Sequence, residues 1–168
     1  SNPYDPQYGK LTGAVSSIDT KTSNYEKFHF SLQNIMPRIR VRDGSVLGIG
    51  GATPRMTVTG PLVKGRIAFT QSLEYRFIRT PINSLPGDKR DTTFEGVNSY
   101  TQFDLNLTNK QTATVAVAVY PQKLKYAGLN TFTPQTSASD YHQRGEQVYA
   151  QHRYATGGQS SALSVTLR

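Results

Sequence analysis

The stretch GPLVKGRIAFTQSLEYRFIR, residues 60–79, decides the expected fold of this chain. It opens with Gly60, Pro61 and Gly65, which are residue types typical of a turn. Strict alternation follows, in which the apolar residues share one face with Gln71 as the exception: Ile67, Phe69, Leu73, Tyr75 and Phe77. The opposite face receives Arg66, Ala68, Thr70, Ser72, Glu74 and Arg76. Successive side chains of a strand point to opposite faces, so the pattern predicts one long strand with an apolar and a polar side.

The length of this strand favours a membrane-crossing role. Strands of soluble proteins usually have about five or six residues, whereas this run has about twelve. A tilted strand that crosses a bilayer needs roughly 9–11 residues. Length and alternation together indicate a strand that faces lipid on one side and a wet interior on the other.

The rest of the chain predicts more strands of the same kind. Alternation and turn residues place strands at 27–35, 52–59, 66–78, 99–108, 111–120, 146–156 and 160–168. The connections between them alternate between long and short, which is typical of an outer-membrane meander. We therefore expect an all-β fold: an antiparallel meander of about seven strands that is part of, or curled like, an outer-membrane-type β-barrel. Aromatic residues near strand ends would fit interfacial girdles, with ordinary sheet packing as the alternative: Tyr75, Phe77, Tyr100, Tyr120, Tyr149 and Tyr154.

Composition agrees with a β-rich chain. The 168 residues include 14 Gly and 9 Pro but no Trp or Cys, and 36% are hydrophobic. No apolar run approaches the ~20 residues that a spanning helix requires. The net charge is +8, but the basic residues are scattered apart from Arg38, Arg40 and Arg42. For that trio a solvated loop or strand edge is the preferred interpretation, so we expect no nucleic-acid partner.

Catalytic chemistry finds little support in the sequence. His29, His142 and His152 are far apart and have no metal-ligand or nucleophile spacing around them. The glycines at 48, 50 and 51 are not followed by a helical pattern, which a phosphate-binding loop would require. We therefore expect no enzyme activity, no metal and no cofactor.

Several short motifs, taken in order, resemble those of the TonB-dependent outer-membrane receptors, especially the large carboxypeptidase-regulatory-like group. Tyr8-Gly9-Lys10, Gly13-Ala14-Val15, Ile18 and Thr20-Lys21 resemble the closing stretch of the plug domain. Lys27-Phe28-His29 with Ser31 is similar to the first barrel strand. The run 59–65, followed by Ala68-Phe69 and Glu74-Tyr75, resembles a periplasmic turn and its aromatic strand. Phe103-Asp104, Leu107-Thr108 and Lys110 resemble the next hairpin. Ala14 and Phe30 depart from the pattern, since glycine is common at both places.

The resemblance implies a segment of a transporter that takes up a bulky nutrient across the bacterial outer membrane. Residues 1–25 would be the end of a plug-like segment, and 26–168 the first strands of a barrel that has about 22 strands in this class. The implied partners are outer-membrane lipid, the plug domain of the parent protein and an energy-coupling inner-membrane complex. The residues expected to face the lumen, and hence the candidates for ligand binding, are Arg66, Glu74, Arg76 and Asp104.

Two other interpretations remain open from the residues alone. The chain could be a soluble β-sheet module that binds through its long loops, with the charged residues on its solvent face. It could also self-assemble into a fibre or oligomer through its strand edges, because about seven strands cannot close a receptor-sized barrel.

Overall fold

The computed structural model describes residues 23, 25–42, 44–85, 90–156 and 161–167, and these form one antiparallel, all-β sheet as predicted. Eleven strands make up the sheet: β1 His29–Gln33, β2 Arg38–Arg42, β3 Ser45–Ala52, β4 Arg55–Val63, β5 Ile67–Pro81, β6 Asp91–Thr108, β7 Gln111–Val119, β8 Gln122–Ala127, β9 Ser139–Gln143, β10 Glu146–Thr156 and β11 Ser161–Leu167. The sheet is open, since no pairing joins β1 to β11 in this part of the chain. Of the predicted plug-like segment 1–25, only Ser23 and Tyr25 lie among the described residues.

All seven predicted strands are present, and the described residues form four further strands that were not predicted. The segments 36–51 and 121–145, predicted as loops, contain the β2–β3 hairpin and the paired strands β8 and β9. Register shifts interrupt both pairs, and the backbone takes a positive φ at Gly48 and Tyr126. The extra residues of these bulges lie in β3 and β8, where they break the strict alternation by which strands are recognised in a sequence.

The turn before β5 lies later in the chain than its glycine and proline suggested. Strand β4 runs through Gly60 and Pro61, and the turn is at 64–66, where Gly65 has a φ of 70°. A register shift beside Pro61 accommodates a residue that cannot donate a ladder hydrogen bond. Gly60 is required for a different reason: a Cβ there would lie 2.4 Å from the Phe28 ring. Gly60 therefore serves close ring packing, not chain reversal.

The sheet has a lower half and an upper half, in which different strands flank β5 and β6. In the lower half the order is β1-β4-β5-β6-β7-β10-β11. In the upper half β3 replaces β4 beside β5, and β8 replaces β7 beside β6, with β2 and β9 outside them. Only β5 and β6 run through both halves, and their ladder continues from Ile67↔Leu105 to Pro81↔Asp91. Strand β6 was predicted to begin at 99, but it begins at Asp91 because its first residues pair with β5 and β8 in the upper half.

A seam separates the two halves at one level of the sheet. Tyr75 and Val97 are directly paired there. The Tyr75 N–H donates to the carbonyl of Pro54 at 3.1 Å, and the Val97 N–H donates to the carbonyl of Pro121 at 3.0 Å. Pro54 lies between β3 and β4, and Pro121 lies between β7 and β8. Both flanking chains therefore leave the lower half at a proline, on either side of the same residue pair.

The lower half has an apolar face and a polar face. Cross-strand register places side chains in rows on the apolar face, for example Leu32, Met56 and Leu73, or Phe69, Phe103 and Val115. Large side chains on this face are open to solvent: Phe30 is 64% exposed, Leu32 51% and Val148 58%. The buried small residues lie on the other face, where Ala68 is 0% and Ala116 4% exposed. Burial is thus the reverse of that in a soluble sheet, whose apolar face is normally the covered one.

Candidate functional site

The polar face of the lower half carries an almost continuous set of hydrogen-bonding side chains. Because side chains alternate along each strand, the register aligns these residues across β4 to β7: Thr57, Thr59, Thr70, Ser72, Glu74, Asn98, Tyr100, Gln102, Asp104 and Thr114. Two groups of contacts stand out within this set. One surrounds Asp104 near the short turns, and the other surrounds Glu74 just below the seam.

Asp104 is the centre of the first group and is only 3% exposed. Its Oδ2 accepts hydrogen bonds from the backbone N–H of Ser23 and from Gln102 Nε2, both at 2.8 Å. Its Oδ1 accepts from Thr114 Oγ1 at 2.8 Å and from the same Gln102 amide at 2.9 Å. A buried carboxylate needs such donors, because its desolvation is otherwise costly. Asp104 therefore joins β6, β7 and the chain that leads into β1.

Ser23 extends this group to the neighbouring strands. Its hydroxyl lies 2.8 Å from Thr70 Oγ1, which in turn donates to Thr59 Oγ1 at 2.9 Å. Ser23 itself is only 4% exposed. The carbonyl of Tyr25 accepts a hydrogen bond from the N–H of Gly65 at 3.4 Å. The chain before β1 thus lies on the polar face and is bonded to Gly65, Thr70 and Asp104, which follow it by 40 residues or more.

Tyr25 lies close enough to Asp104 to be affected by its charge. Burial is the larger cause that raises the pKa of the Tyr25 hydroxyl, and the negative charge of Asp104 raises it further. Both causes disfavour the phenolate. Tyr25 therefore remains a neutral hydroxyl on this face.

The second group surrounds Glu74 beneath the seam. Glu74 Oε2 accepts from Arg55 at 3.1 Å and from Asn98 Nδ2 at 3.1 Å. Arg76 is two residues further along β5 and lies over the Phe94 ring, with its guanidinium carbon 5.5 Å from the ring centroid. Such a stack holds a cation against an aromatic surface while leaving its N–H groups available.

The four sequence-predicted lumen residues do not form one site. Glu74 pairs with Asn98 and Asp104 pairs with Ala68, so their rows are six positions apart along β5, roughly 20 Å at the rise of a strand. Glu74 and Arg76 are neighbours on the same face. Arg66 is not part of β5 but lies exposed in the 64–66 turn, where its carbonyl accepts from the Asn106 N–H at 2.7 Å.

Several residues that contact Asp104 or Glu74 were not predicted from the sequence. Gln102 and Asn98 occupy the same alternating positions of β6 as Asp104, so the sequence pattern could have assigned them to the polar face. Arg55 lay inside a predicted strand but had no partner assigned to it. Ser23 gave no signal, because its contact with Asp104 spans 81 residues of chain.

The expected aromatic girdles are only partly matched by the positions of the tyrosines. Tyr75 and Tyr154 lie on the apolar face at opposite ends of the lower half, as their register partners Val97 and Gln111 indicate. Tyr100 and Tyr149 instead lie on the polar face, where their hydroxyls donate to Gln102 and Gln151. These hydrogen bonds satisfy the two phenol hydroxyls, which favours the polar face for both tyrosines.

Histidines do not assemble into a reactive centre within the described strands. His29, His142 and His152 lie on β1, β9 and β10 respectively. Among the residues that the structure describes, no three His, Asp or Glu side chains are grouped in a way that could hold a metal ion. Nor does this part of the chain contain a helix long and apolar enough to cross a membrane.

A charge network holds β8 and β9 together in the upper half. Asp140 Oδ1 accepts a hydrogen bond from the Tyr126 N–H at 3.2 Å, and Asp140 Oδ2 lies 3.4 Å from Lys123 Nζ. The Tyr126 N–H is the largest cause that lowers the pKa of Asp140 below its ordinary 3.8. Desolvation opposes it, and the hydrogen bond and charge of Lys123 and the charge of Lys125 add to the lowering. The network therefore favours the carboxylate form.

This network predicts a specific acid titration. We expect Asp140 to titrate below pH 3.8, as measured by NMR on the side-chain carboxyl. A lowered folded-state pKa means that the stabilisation is complete above pH 3.8 and is lost as the pH falls through the folded value. Lys123→Met should raise the midpoint but leave it below 3.8, because the Tyr126 N–H remains. A midpoint unchanged by Lys123→Met would contradict the 3.4 Å ion pair.

Comparisons of this chain with protein-family models, with curated proteins and with solved structures found no match.

Proposed function

We propose that this chain is a segment of a TonB-dependent outer-membrane transporter that takes up a bulky nutrient. In this proposal the lower half of the sheet is part of the barrel wall, its apolar face contacts lipid, and its polar face lines the lumen. Glu74, Arg76 and Asp104 then face the interior, and the chain at Ser23 and Tyr25 lies on the lumen side. The bacterial outer membrane is the proposed location, with the plug domain and the energy-coupling complex of the inner membrane as partners.

The observation that carries the proposal is the distribution of charge between the two faces. On β1 and β4 to β7, the apolar face below the seam has no Lys, Arg, Asp or Glu side chain among the described residues, while the polar face of the same span carries Arg55, Glu74 and Asp104. Charges return at the short turns, with Lys64 and Lys110, and above the seam, with Glu95 and Lys123. On the neighbouring strand β10, the first residue, Glu146, does place a charge on the apolar face, where it forms an ion pair with Arg144 at 2.6 Å.

The height of this charge-free face fits a membrane. Below and including the seam, β5 contributes residues 67–75 and β6 contributes residues 97–105. At a rise of about 3.4 Å per residue and a tilt of about 35–45°, such strands reach roughly 20–25 Å across a bilayer. That is close to the apolar band of transmembrane barrels, which is about 25 Å tall. Lipid is therefore a suitable environment for the apolar face.

The soluble alternatives are less consistent with the same face. A soluble sandwich would cover its apolar face with a second sheet, but all eleven described strands belong to one sheet. Self-association through the strand edges has a specific basis, because β1 and β11 are the two outer strands of the lower half. In the proposed transporter these edges pair with other strands of the parent barrel. In a self-assembling protein they would pair with further copies in water.

Site-directed labelling tests the proposal, and the chain suits it because it contains no cysteine. Leu73 and Ser72 are neighbours on β5 at the same depth but on opposite faces. We expect a fluorophore on Leu73→Cys, in vesicles, to be quenched mainly by a lipid-borne quencher. The same fluorophore on Ser72→Cys should be quenched mainly by a water-soluble quencher. Equal behaviour of the two labels, or sheet formation that needs no lipid or detergent, would contradict the proposal.

A further inference from the structure

A row of side chains crosses the upper half on the side that continues the polar face of the lower half. Within β5, Glu74, Arg76 and Ile78 alternate onto this side, so the face continues through the seam. The cross-strand register at Ile78 then defines a row from β2 to β9: Arg38, Gly51, Ile78, Phe94, Leu124 and Tyr141. The row is an apolar strip that begins at an arginine and ends at a tyrosine.

Arg76 flanks this strip on the side of the seam. It lies over the Phe94 ring, with its guanidinium carbon 5.5 Å from the ring centroid. The cross-strand partner of Arg76 is Gly96, where a Cβ would lie 3.4 Å from the same ring, so the glycine leaves room for the ring beside the arginine. The stack holds the guanidinium in place but leaves its N–H groups available to a ligand.

Arg38 flanks the strip from the outer strand β2. Its Nη2 atom lies 3.7 Å from the position that a Cβ of Gly51 would occupy, so the guanidinium extends over β3 in the direction of Ile78. Arg38 and Arg76 are both exposed, and their strands are two strand spacings apart, roughly 10 Å. The sequence suggested a loop or strand edge for Arg38 and offered no reason to place it near Arg76.

The arginines around the strip outnumber the carboxylates. Two ion pairs form here: Arg55 with Glu74 at 3.1 Å, and Arg40 with Asp91 at 2.5 Å. Arg38 and Arg76 take part in neither, and no carboxylate in the described part of the chain forms an ion pair with them. Two cations on this face are therefore left for an anionic ligand.

We propose that this surface binds an organic anion with a flat apolar body. The surface consists of Arg38, Arg76, Ile78 and Phe94, and we call it the arginine platform. Acidic groups of the ligand accept hydrogen bonds from the two arginines, whose planar guanidinium groups match carboxylate and phosphate oxygens. The body of the ligand lies against Ile78 and Phe94. This inference rests on the proposed transporter, in which the arginine platform faces the lumen, and it names the chemical class of the nutrient.

Binding of naphthalene-2,6-dicarboxylate tests the proposal, because this fluorescent probe carries a carboxylate at each end of a flat apolar body. The chain is refolded into phosphatidylcholine vesicles, and the fluorescence anisotropy of the probe is compared with that in empty vesicles. We expect saturable binding of the dicarboxylate. Binding of 2-naphthoate, which has the same rings but one carboxylate, should be about tenfold weaker. Adipate, a dicarboxylate without rings, should displace the probe only at about tenfold its concentration or more.

Charge removal provides the variants. Arg38→Gln and Arg76→Gln should each weaken binding of the dicarboxylate about tenfold, since each removes one charge-assisted contact. Either variant should also lose the preference for the dicarboxylate over 2-naphthoate, because one carboxylate then lacks its partner. Arg79→Gln is the matched control and should leave the affinity unchanged. Arg79 lies on the same strand and over the Phe77 ring at 5.3 Å, but its pairing with Thr93 places it on the opposite face.

Several outcomes would overturn the arginine platform. One is equal weakening by Arg76→Gln and Arg79→Gln, which would show attraction to the net charge of +8 rather than to a site. Displacement by adipate at the concentration of the probe would show that the rings contribute nothing. Absence of saturable binding would also contradict the proposal. The comparison of the three ligands needs no substitution, so it decides the question even if a variant does not fold.

The labels on Leu73→Cys and Ser72→Cys report separately on the function from which this inference starts. If the two labels behave as expected and the dicarboxylate does not bind, the lipid-facing sheet stands and only the arginine platform is wrong. If the dicarboxylate binds as expected but the two labels are quenched equally, the anion site stands and the transporter is contradicted.

Discussion

Replacement of Asp104 by alanine is expected to destabilise the sheet by about 3 kcal/mol or more, because it leaves several buried donors without an acceptor. The Ser23 N–H, the Gln102 amide and the Thr114 hydroxyl all donate to this carboxylate at 2.8–2.9 Å. The free energy of unfolding, measured by urea titration of the chain in vesicles, provides the test. Hydrogen exchange at the Ser23 amide should also become fast in this variant.

Thr114→Val is the matched control for Asp104. It removes one hydrogen bond to the same carboxylate and nearly preserves the side-chain volume, so it should cost about 1 kcal/mol. Asp104→Asn should fall between the two, because it keeps the shape and one acceptor but turns an amide towards other donors. If Asp104→Ala costs no more than Thr114→Val, the carboxylate does not organise this face.

Replacement of Phe69 by arginine is expected to cost about 2–4 kcal/mol in a bilayer, the range for a cation on the lipid face of a barrel near its midplane. Phe69 pairs with Phe103 and contacts the Phe28 ring edge-on at a centroid distance of 6.3 Å, in the charge-free span. Phe69→Ala should cost less than the arginine, since acyl chains can fill the space that the ring leaves. The measurement is again the free energy of unfolding in vesicles.

Ser72→Arg is the control for the opposite face and should change stability by about 0.5 kcal/mol or less. Water is available there in the proposed lumen, and Glu74 lies two residues away on the same face. Thr70 is less suitable for this comparison, because its hydroxyl is bonded to both Ser23 and Thr59 at 2.8 and 2.9 Å, whereas the Ser72 hydroxyl makes one longer contact, 3.3 Å to Thr57 Oγ1. A soluble core at Phe69 gives a different pattern, with Phe69→Ala alone costing about 3–5 kcal/mol. Equal losses for Phe69→Ala and Phe69→Arg would exclude the lipid-facing assignment.

The sequence predicted the strands whose two faces differ. Alternation is clearest in β5 and β7, where one face is apolar and the other polar or small, and both strands lie close to their predicted positions. Strand β2, with Arg38, Ile39, Arg40, Val41 and Arg42, alternates as clearly, but three arginines in a glycine-rich context suggested a loop. Strands β8 and β9 are short and joined across a register shift, so their pattern is too brief to recognise.

The sequence predicted the face of the sheet on which the candidate residues lie, but not the residues that they contact. Alternation assigned Glu74 and Asp104 to the polar side, and the register agrees. Arg66 was misplaced because the alternation continues through the turn that precedes β5. The bond from Ser23 to Asp104 depends on the folded path of the chain, and no local pattern encodes a contact over 81 residues.

The seam has a mechanical consequence. The lower half is seven strands wide and the upper half six, but only β5 and β6 are continuous at the level of Tyr75 and Val97. On each flank a single proline carbonyl supplies the backbone bond at that level. Since the resistance of a sheet to bending grows with its width, this narrow neck flexes more easily than either half. A load applied to the upper strands is therefore expected to bend the sheet at the level of Tyr75 and Val97 before it bends the wider lower half.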